Sequence, residues 1–326
     1  AARSPQPAAR SPPRTSPMFP EYRHCQLCPR RCGVDRTAGR TGVCGMTADC
    51  RVSYIGAHHG EEPAFSGSHG SGTVFFCGCP SHCLFCQNIQ ISAAGTTEGF
   101  VVTPEELLAE LRRLAASGVH NLNFVSPDHF WPHIRQACRQ LRAEGATLPF
   151  LYNCSGYQLP GLIPEVAELM EIFLPDFKFA DSALAKLCMG DAAYPEIALA
   201  ALRRMVSARG FLTPFDPTGR QPARGGVLVR HLVLPGQVEN SLQTLELLHR
   251  EFGPGLPLSV MSQYRPMPAC AGQGALARGL SHGEYEAVRE RVADLGFEHV
   301  YTQELDEGSG FLPDFRAEQP FPGNRR

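Results

Sequence analysis

The residues best equipped for chemistry lie together in FFCGCPSHCLFCQN, residues 75–88. Cys79, Cys83 and Cys86 are spaced CxxxCxxC, and three thiols this close along the chain can converge on one side of a tight loop. Pro80 restricts the loop at its start, and no Lys, Arg, Asp or Glu interrupts it. A structural zinc site takes four protein ligands and typically begins with paired cysteines. A fully protein-ligated [4Fe–4S] cluster also takes four cysteines. Three ligands leave one iron open, as a cluster needs when a second molecule must bind the metal directly. A zinc knuckle, or a chance group of buried thiols, is the alternative that any motif match carries. Cys77, two residues ahead of the three, reads as a buried thiol, because free cysteine is among the most buried residue types.

A second group precedes it. Cys25-x-x-Cys28-x-x-x-Cys32 is followed by Cys44 and Cys50, with glycines at 33, 39, 42 and 45 for tight turns. Cys25, Cys28, Cys32 and Cys44 form the favoured set, for zinc or for a cluster, with Cys50 spare. An unliganded thiol group is the alternative. His58-His59-Gly60-Glu61-Glu62 follows. Neighbours on an extended chain point to opposite sides. These groups are therefore expected to hold a loop by hydrogen bonds rather than to act together.

The elements that must position these residues follow from hydrophobic period and punctuation. Thr73 to Phe76 is β-branched and aromatic after a Gly/Ser-rich turn, so a buried strand delivers the cysteine loop. Thr103-Pro104-Glu105-Glu106 is a helix start with a capping box, and Leu107, Leu108, Leu111 and Leu114 mark one face. Strands are expected at 119–125, 148–152, 172–174, 226–234, 258–261 and 299–302. Helices are expected at 133–142, 164–170, 196–208, 241–251 and from Ser281 to about Leu295. Alternation of this kind implies a parallel sheet with right-handed crossovers, either open or closed into a barrel.

Composition sets the outer bounds. With 326 residues, 43% of them hydrophobic, the chain can build a large core. It holds no apolar run long enough to span a bilayer. A net charge of −2 gives no electrostatic footprint for nucleic acid. The thirteen cysteines cluster instead of spreading as a disulfide framework, and no secretory segment stands near the start. Metal binding in a reducing compartment, the cytoplasm, is the expectation. Residues 1–20, rich in Pro, Ala, Ser and Arg, read as a disordered tail ahead of Met18 rather than an organelle transit peptide. The cysteine-rich segment is placed at 21–57, the core at 58–305 and a C-terminal tail at 306–326.

CxxxCxxC followed by Gln87-Asn88 resembles the cluster loop of the radical S-adenosylmethionine (SAM) enzymes, and more narrowly the branch that includes the pyruvate formate-lyase-activating enzyme. The segment CQLCPRRCGVDR…GVCG is similar to the N-terminal cysteine segment of that branch. The resemblance implies a partial (β/α)6 barrel of the TIM type behind a small cysteine-rich segment. It implies a [4Fe–4S] cluster on Cys79, Cys83 and Cys86 whose open iron binds SAM. One electron then releases methionine and a 5′-deoxyadenosyl radical, which abstracts hydrogen from a substrate. It further implies an external electron donor of the flavodoxin or ferredoxin type, and a glycyl radical enzyme or another protein as a candidate substrate, with no nucleic acid or membrane partner.

In barrel enzymes active residues sit at strand ends. The ends carry Ser126-Pro127-Asp128-His129, Asn153-Cys154-Ser155-Gly156, Asp176-Phe177-Lys178 and Arg230-His231. By resemblance, Ser126, His129, Asn153, Ser155, Asp176, Lys178 and Arg230 are candidate cofactor-binding residues. Asp176 and Lys178 share a strand face and can pair. Arg230 in an apolar strand requires a carboxylate partner, either a ligand's or the protein's own. A non-enzymatic zinc-binding barrel acting as a protein-interaction module is the alternative function. A simple electron carrier is weaker, lacking the run of four closely spaced cysteines.

Overall fold

The computed structural model describes residues 19–305 and 312–321. The expected tail at 1–20 lies outside these residues up to position 18. From Phe19 the chain enters a 3-10 turn, Pro20–Tyr22.

The first half of the chain runs β1 (Cys50–His58), α1 (Pro63–Ser66), β2 (Ser71–Phe76), α2 (Ile89–Ser92), β3 (Phe100–Val102), α3 (Pro104–Ala116), β4 (Leu122–Val125), α4 (Trp131–Ala143) and β5 (Phe150–Cys154). It continues through α5 (Ile163–Ala167), β6 (Ile172–Pro175), α6 (Ser182–Met189), α7 (Tyr194–Arg209), β7 (Gly226–Val227) and β8 (Val229–Leu232). Then come α8 (Val238–Phe252), β9 (Leu258–Met261), α9 (His282–Asp294) and β10 (Val300–Thr302).

Strands β2, β4, β5, β6 and β7 pair in that order, all parallel. Strands β8, β9 and β10 form a second parallel set. Only Leu228 separates β7 from β8, and a parallel bridge from Asp176 to Arg230 carries β6 across to β8. The two sets are thus one curved wall with helices outside, the partial barrel expected. The strands read from sequence match this wall, with β7 and β8 together filling the expected 226–234. Residues on both faces of β2, β6 and β9 are buried, which is why those segments are apolar runs rather than alternating ones.

Local chemistry sets the helix ends. Thr103 Oγ1 accepts from Glu106 N at 3.1 Å, and Glu106 returns a bond to Thr103 N at 2.8 Å. Ser281 and Glu284 repeat the device at α9. Leu107, Leu111 and Leu114 are buried as expected, while Leu108 is half-buried. Helix α8 begins at Val238, a turn ahead of the expected Ser241, whose hydroxyl lies 2.9 Å from His231 Nε2. Helix α6 was not expected. Asp181 caps it, accepting from Ala183 N and Leu184 N.

Two further differences frame the site. The end of the cysteine-rich segment and the His58 loop are in fact β1, a nine-residue strand antiparallel to β2, with β3 antiparallel beyond it. Cys50 and Val52 are fully buried there. The stretch expected as a C-terminal tail returns at 312–321 to pack on β1 and β2, with Phe315 buried against Phe75.

Candidate active site

A cavity of about 840 Å3 opens at the C-terminal ends of the wall strands. Cys79, Cys83 and Cys86 line it, together with Ser126, Asn153, Ser155, Asp176, Lys178 and Arg230. Of the sequence-derived candidates around the cluster loop, the structure brings nine to one surface.

The cysteine loop is pinned by its backbone. Gly78 N donates to Ile91 O at 2.7 Å, Leu84 N to Cys188 O at 3.0 Å, and Cys86 N to Cys83 O at 3.1 Å. From the cysteine-rich segment, Arg30 reaches over to donate to Pro80 O at 2.9 Å and Met189 O at 2.6 Å. Ser81 N donates to Cys79 Sγ at 3.4 Å, and Ser92 Oγ lies 3.1 Å from Cys86 Sγ. Burial raises all three thiols, Cys79 to about 11, and the thiols oppose one another's ionisation. Nearby Lys178 partly offsets this at Cys83 and Cys86.

Raised in this way the thiols stay protonated and neutral near pH 7, and a metal that binds them displaces those protons. Among the described residues, no three His, Cys, Asp or Glu side chains are arranged around a single ion position. Cysteines bound to different irons of one cluster stand farther apart than the ligands of one ion. The donor set, the three loop thiols on one cavity wall, fits a cluster held by three cysteines with one iron free. Cys77 supplies no fourth ligand, since its fully buried Sγ donates to Glu98 O at 3.4 Å.

The strand ends carry the polar wall. Ser126 sits at φ +55°, a backbone conformation that costs a non-glycine residue about 1–3 kcal/mol and tends to occur at functional sites. The Ser155 hydroxyl accepts from Ser81 Oγ at 2.7 Å, tying β5 to the cysteine loop. Gly156, at φ +78°, has no alternative: a Cβ there would stand 2.1 Å from Asp176 O. Tyr194 OH accepts from Lys178 N and donates to Ser155 O, both at 2.9 Å, so the first residue of α7 fastens the ends of β5 and β6 together. Lys178 forms the expected ion pair with Asp176. Burial opposes the ammonium charge, and Asp176 more than offsets it.

Arg230 has protein partners. It donates from Nε to Glu62 Oε1 at 2.8 Å, from Nη2 to Glu62 Oε2 at 2.5 Å, and pairs with Glu61. Glu61 also accepts from Asn123 Nδ2 at 2.9 Å. Burial opposes the Glu61 charge, but Arg230 outweighs it and holds the carboxyl below its usual range. The HHGEE segment thus anchors its loop to β8, as expected of it. The choice of Arg230 as the centre was legible in the sequence; the choice between ligand and protein carboxylate was not.

His129 is corrected. It is fully buried behind the loop, its Nε2–H donating to Cys77 O at 2.7 Å, and it does not line the cavity. Burial drives its pKa down to about 3, with Arg36 adding to the effect, so the ring is neutral. Asp128 is buried beside it, accepting from Tyr152 OH at 2.9 Å and Gln158 Nε2 at 3.2 Å.

The N-terminal cysteines behave differently. Cys25, Cys28 and Cys44 are buried and Cys32 is half-buried, and all thirteen cysteines are free thiols. Among the described residues these thiols are not gathered around a single ion position. The segment is organised by Arg36, 1% exposed, which donates to His129 O at 2.5 Å and Thr47 O at 2.7 Å and stacks on Tyr22 and Phe130. Cys25 Sγ lies 3.8 Å from the same guanidinium. Sequence reasoning did not single out Arg36, and nothing separates it on paper from Arg31 or Arg40. It also passed over Ser81, Pro313 and Phe321, which line the cavity, and it placed His58 in a loop-holding role although His58 lines the cavity too.

Comparison with known proteins bears on this arrangement. The chain is 25% identical over 289 residues to the uncharacterized protein MJ0674 of Methanocaldococcus jannaschii, covering 86% of this chain and 77% of that one. Among solved structures it is similar to methylornithine synthase (PylB), at a TM-score of 0.46 and 12% identity over 71% of this chain and 70% of that one. It is also similar to HydG, a maturase of the [FeFe]-hydrogenase, at 0.44 and 13% over 71% and 58%. Neither likeness is close enough to transfer a substrate. The model of the Radical SAM superfamily matches residues 73–248, more than half of the chain, from within β2 to within α8. The chain belongs to the Radical SAM superfamily.

Proposed function

We propose that Cys79, Cys83 and Cys86 hold the [4Fe–4S] cluster and that this chain carries out radical SAM chemistry in the manner of the activase-like branch. The observation that carries this reading is that the three cysteines of the CxxxCxxC loop all line the cavity that the polar strand ends line, where Cys154 of β5 lies outside that loop motif. A cluster held there would supply one electron to the sulfonium of SAM, whose C–S bond would break to leave methionine and a 5′-deoxyadenosyl radical.

The chain's own residues bind and orient. Ser126, Asn153 and Ser155 present hydrogen-bonding groups to the polar parts of SAM. Asp176, paired with Lys178, offers its remaining acceptor capacity beside Cys83. Arg230 acts through Glu61 and Glu62, keeping that wall rigid and fully satisfied. His129 holds the cysteine loop from behind, through the Cys77 carbonyl. The electron comes from an external donor of the flavodoxin or ferredoxin type in a reducing cytoplasm. A glycyl radical enzyme, another protein and a small molecule are the candidate substrates.

Anaerobic protein reconstituted with iron and sulfide, then reduced with dithionite, is expected to convert SAM to 5′-deoxyadenosine and methionine. Asn153→Ala is expected to raise the KM for SAM with its cluster content unchanged. Release of no 5′-deoxyadenosine by the intact, iron-loaded protein contradicts the reading and returns the zinc-binding interaction module to consideration.

A further inference from the structure

We propose that the substrate is a small molecule, uncharged or cationic, that enters whole behind a wall made by the chain's own residues 312–321. The inference rests on the cavity being the SAM site and concerns the side of it that the wall strands leave open.

Residues 312–321 form a strap closed on itself, with Asp314 N donating to Pro320 O at 2.8 Å and Ala317 N to Asp314 O at 3.0 Å. One end is tied to α2, the helix that leaves the cysteine loop: Phe315 N donates to Gln90 Oε1 at 2.7 Å, and Gln90 Nε2 to Asp314 Oδ1 at 3.2 Å. Gln90 is four residues past Cys86. The other end lies on the end of β1, where the Phe321 ring centroid is 4.1 Å from His58 and 5.2 Å from Phe75. The curved wall ends at β2, covered by β1, and at β10. The strap follows β10 and packs on β1 and β2, so it spans the flank where the wall does not meet itself. Pro313 and Phe321 line the same cavity as the three thiols.

Size and charge follow. A cavity of about 840 Å3 lies in the range of small-molecule sites, roughly 300–1,000 Å3. A loop delivered by a folded protein would have to displace the strap from its aromatic seat. The lining carries the carboxylates Glu61, Glu62 and Asp176 against Lys178 and Arg230, and both cations are already paired. A phosphate or carboxylate substrate meets no unpaired lysine or arginine among the described lining residues.

The test uses the apo-protein and three thiol reagents: iodoacetamide, iodoacetate, and a maleimide carried on a polyethylene glycol chain of several kilodaltons. Labelling of Cys79, Cys83 and Cys86 is followed by peptide mass mapping and divided by the rate in denatured protein. Iodoacetamide is expected to exceed the polymer reagent by at least about tenfold, the ratio set by a strap that opens only in a minor state. Iodoacetate is expected to fall below iodoacetamide. Phe321→Ala, and separately Gln90→Ala, which loosens the strap from α2 without touching the core, are expected to admit the polymer while circular dichroism stays unchanged. Equal normalised rates for small and polymeric reagents in the unaltered protein overturn the wall and reopen a macromolecular substrate. Equal rates for the two iodo reagents overturn the charge preference. Cluster content and 5′-deoxyadenosine formation are measured separately, so a failed cluster does not pass for a failed wall.

Discussion

At the scale of single residues, the site is a set of buried charges that satisfy one another. Arg230, Glu61 and Glu62 are the clearest case, with side chains 14%, 6% and 7% exposed. Removing one partner of such a group leaves uncompensated charge inside the protein, which costs about 3–5 kcal/mol. Arg230→Met is therefore expected to lower stability by about that amount in urea unfolding. Adding Glu61→Gln and Glu62→Gln should recover part of the loss, and no recovery would mean that Arg230 acts by packing alone. The sequence carried the reason for a partner, since Arg in an apolar strand needs one. It could not carry the identity of that partner, which lies 168 residues away. The thiols were the opposite case, because CxxxCxxC is a local pattern that can be read without knowing the distant partners, such as Cys188 O, that pin its loop. His129 failed as a candidate because a strand-end position says which end of the barrel a residue is on, not whether it points into the cavity or behind it.

At the scale of elements, the alternation of strand and helix was legible because each wall strand is apolar and each crossover helix has a distinct start. The α3 box is an exposed, local device, so its loss should not spread. Thr103→Ala is expected to cost about 1 kcal/mol, within roughly 0.5–2, through the orphaned Glu106 N–H. Thermal unfolding of Thr103→Ala against Thr103→Ser separates the cap from packing, since Ser retains the oxygen. Strand β1 was missed because its burial alternates only at Cys50 and Val52 and is intermediate beyond. The cysteines on that stretch also suggested a metal knuckle rather than a sheet edge. Helix α6 was missed because SALAKLCM spans barely two turns, and its Asp181 cap is indistinguishable from a loop Asp on paper.

At the scale of the whole molecule, the cysteine-rich segment, the barrel and the strap converge on the loop at 77–88. The same convergence buries several titratable groups, and this fixes the response to pH. Burial lowers His129 and His133 to about 3 and His231 to about 4. Between those values and about 6.5 the unfolded chain binds more protons than the folded one, so stability falls as pH drops through that window. Asp128 acts in the other direction. Burial raises it to about 6, so the folded state binds the extra proton, and stability falls as pH rises from about 4 to 6. Three histidines outweigh one carboxyl. The free energy of urea unfolding is expected to decline from pH 7 to pH 5, by about 1–3 kcal/mol per pH unit at the steepest. A flat profile would mean that these rings accept protons in place. No helix among the described residues is long and apolar enough to cross a membrane. The measurement that bears most directly on the whole arrangement is electron paramagnetic resonance of the reduced, anaerobically reconstituted protein, with and without SAM. A reduced-cluster signal that shifts when SAM is added, and is absent with low iron in Cys83→Ala, is the predicted result. A SAM-insensitive signal, or one that survives in Cys83→Ala, would place the metal somewhere other than the open loop at Cys79, Cys83 and Cys86.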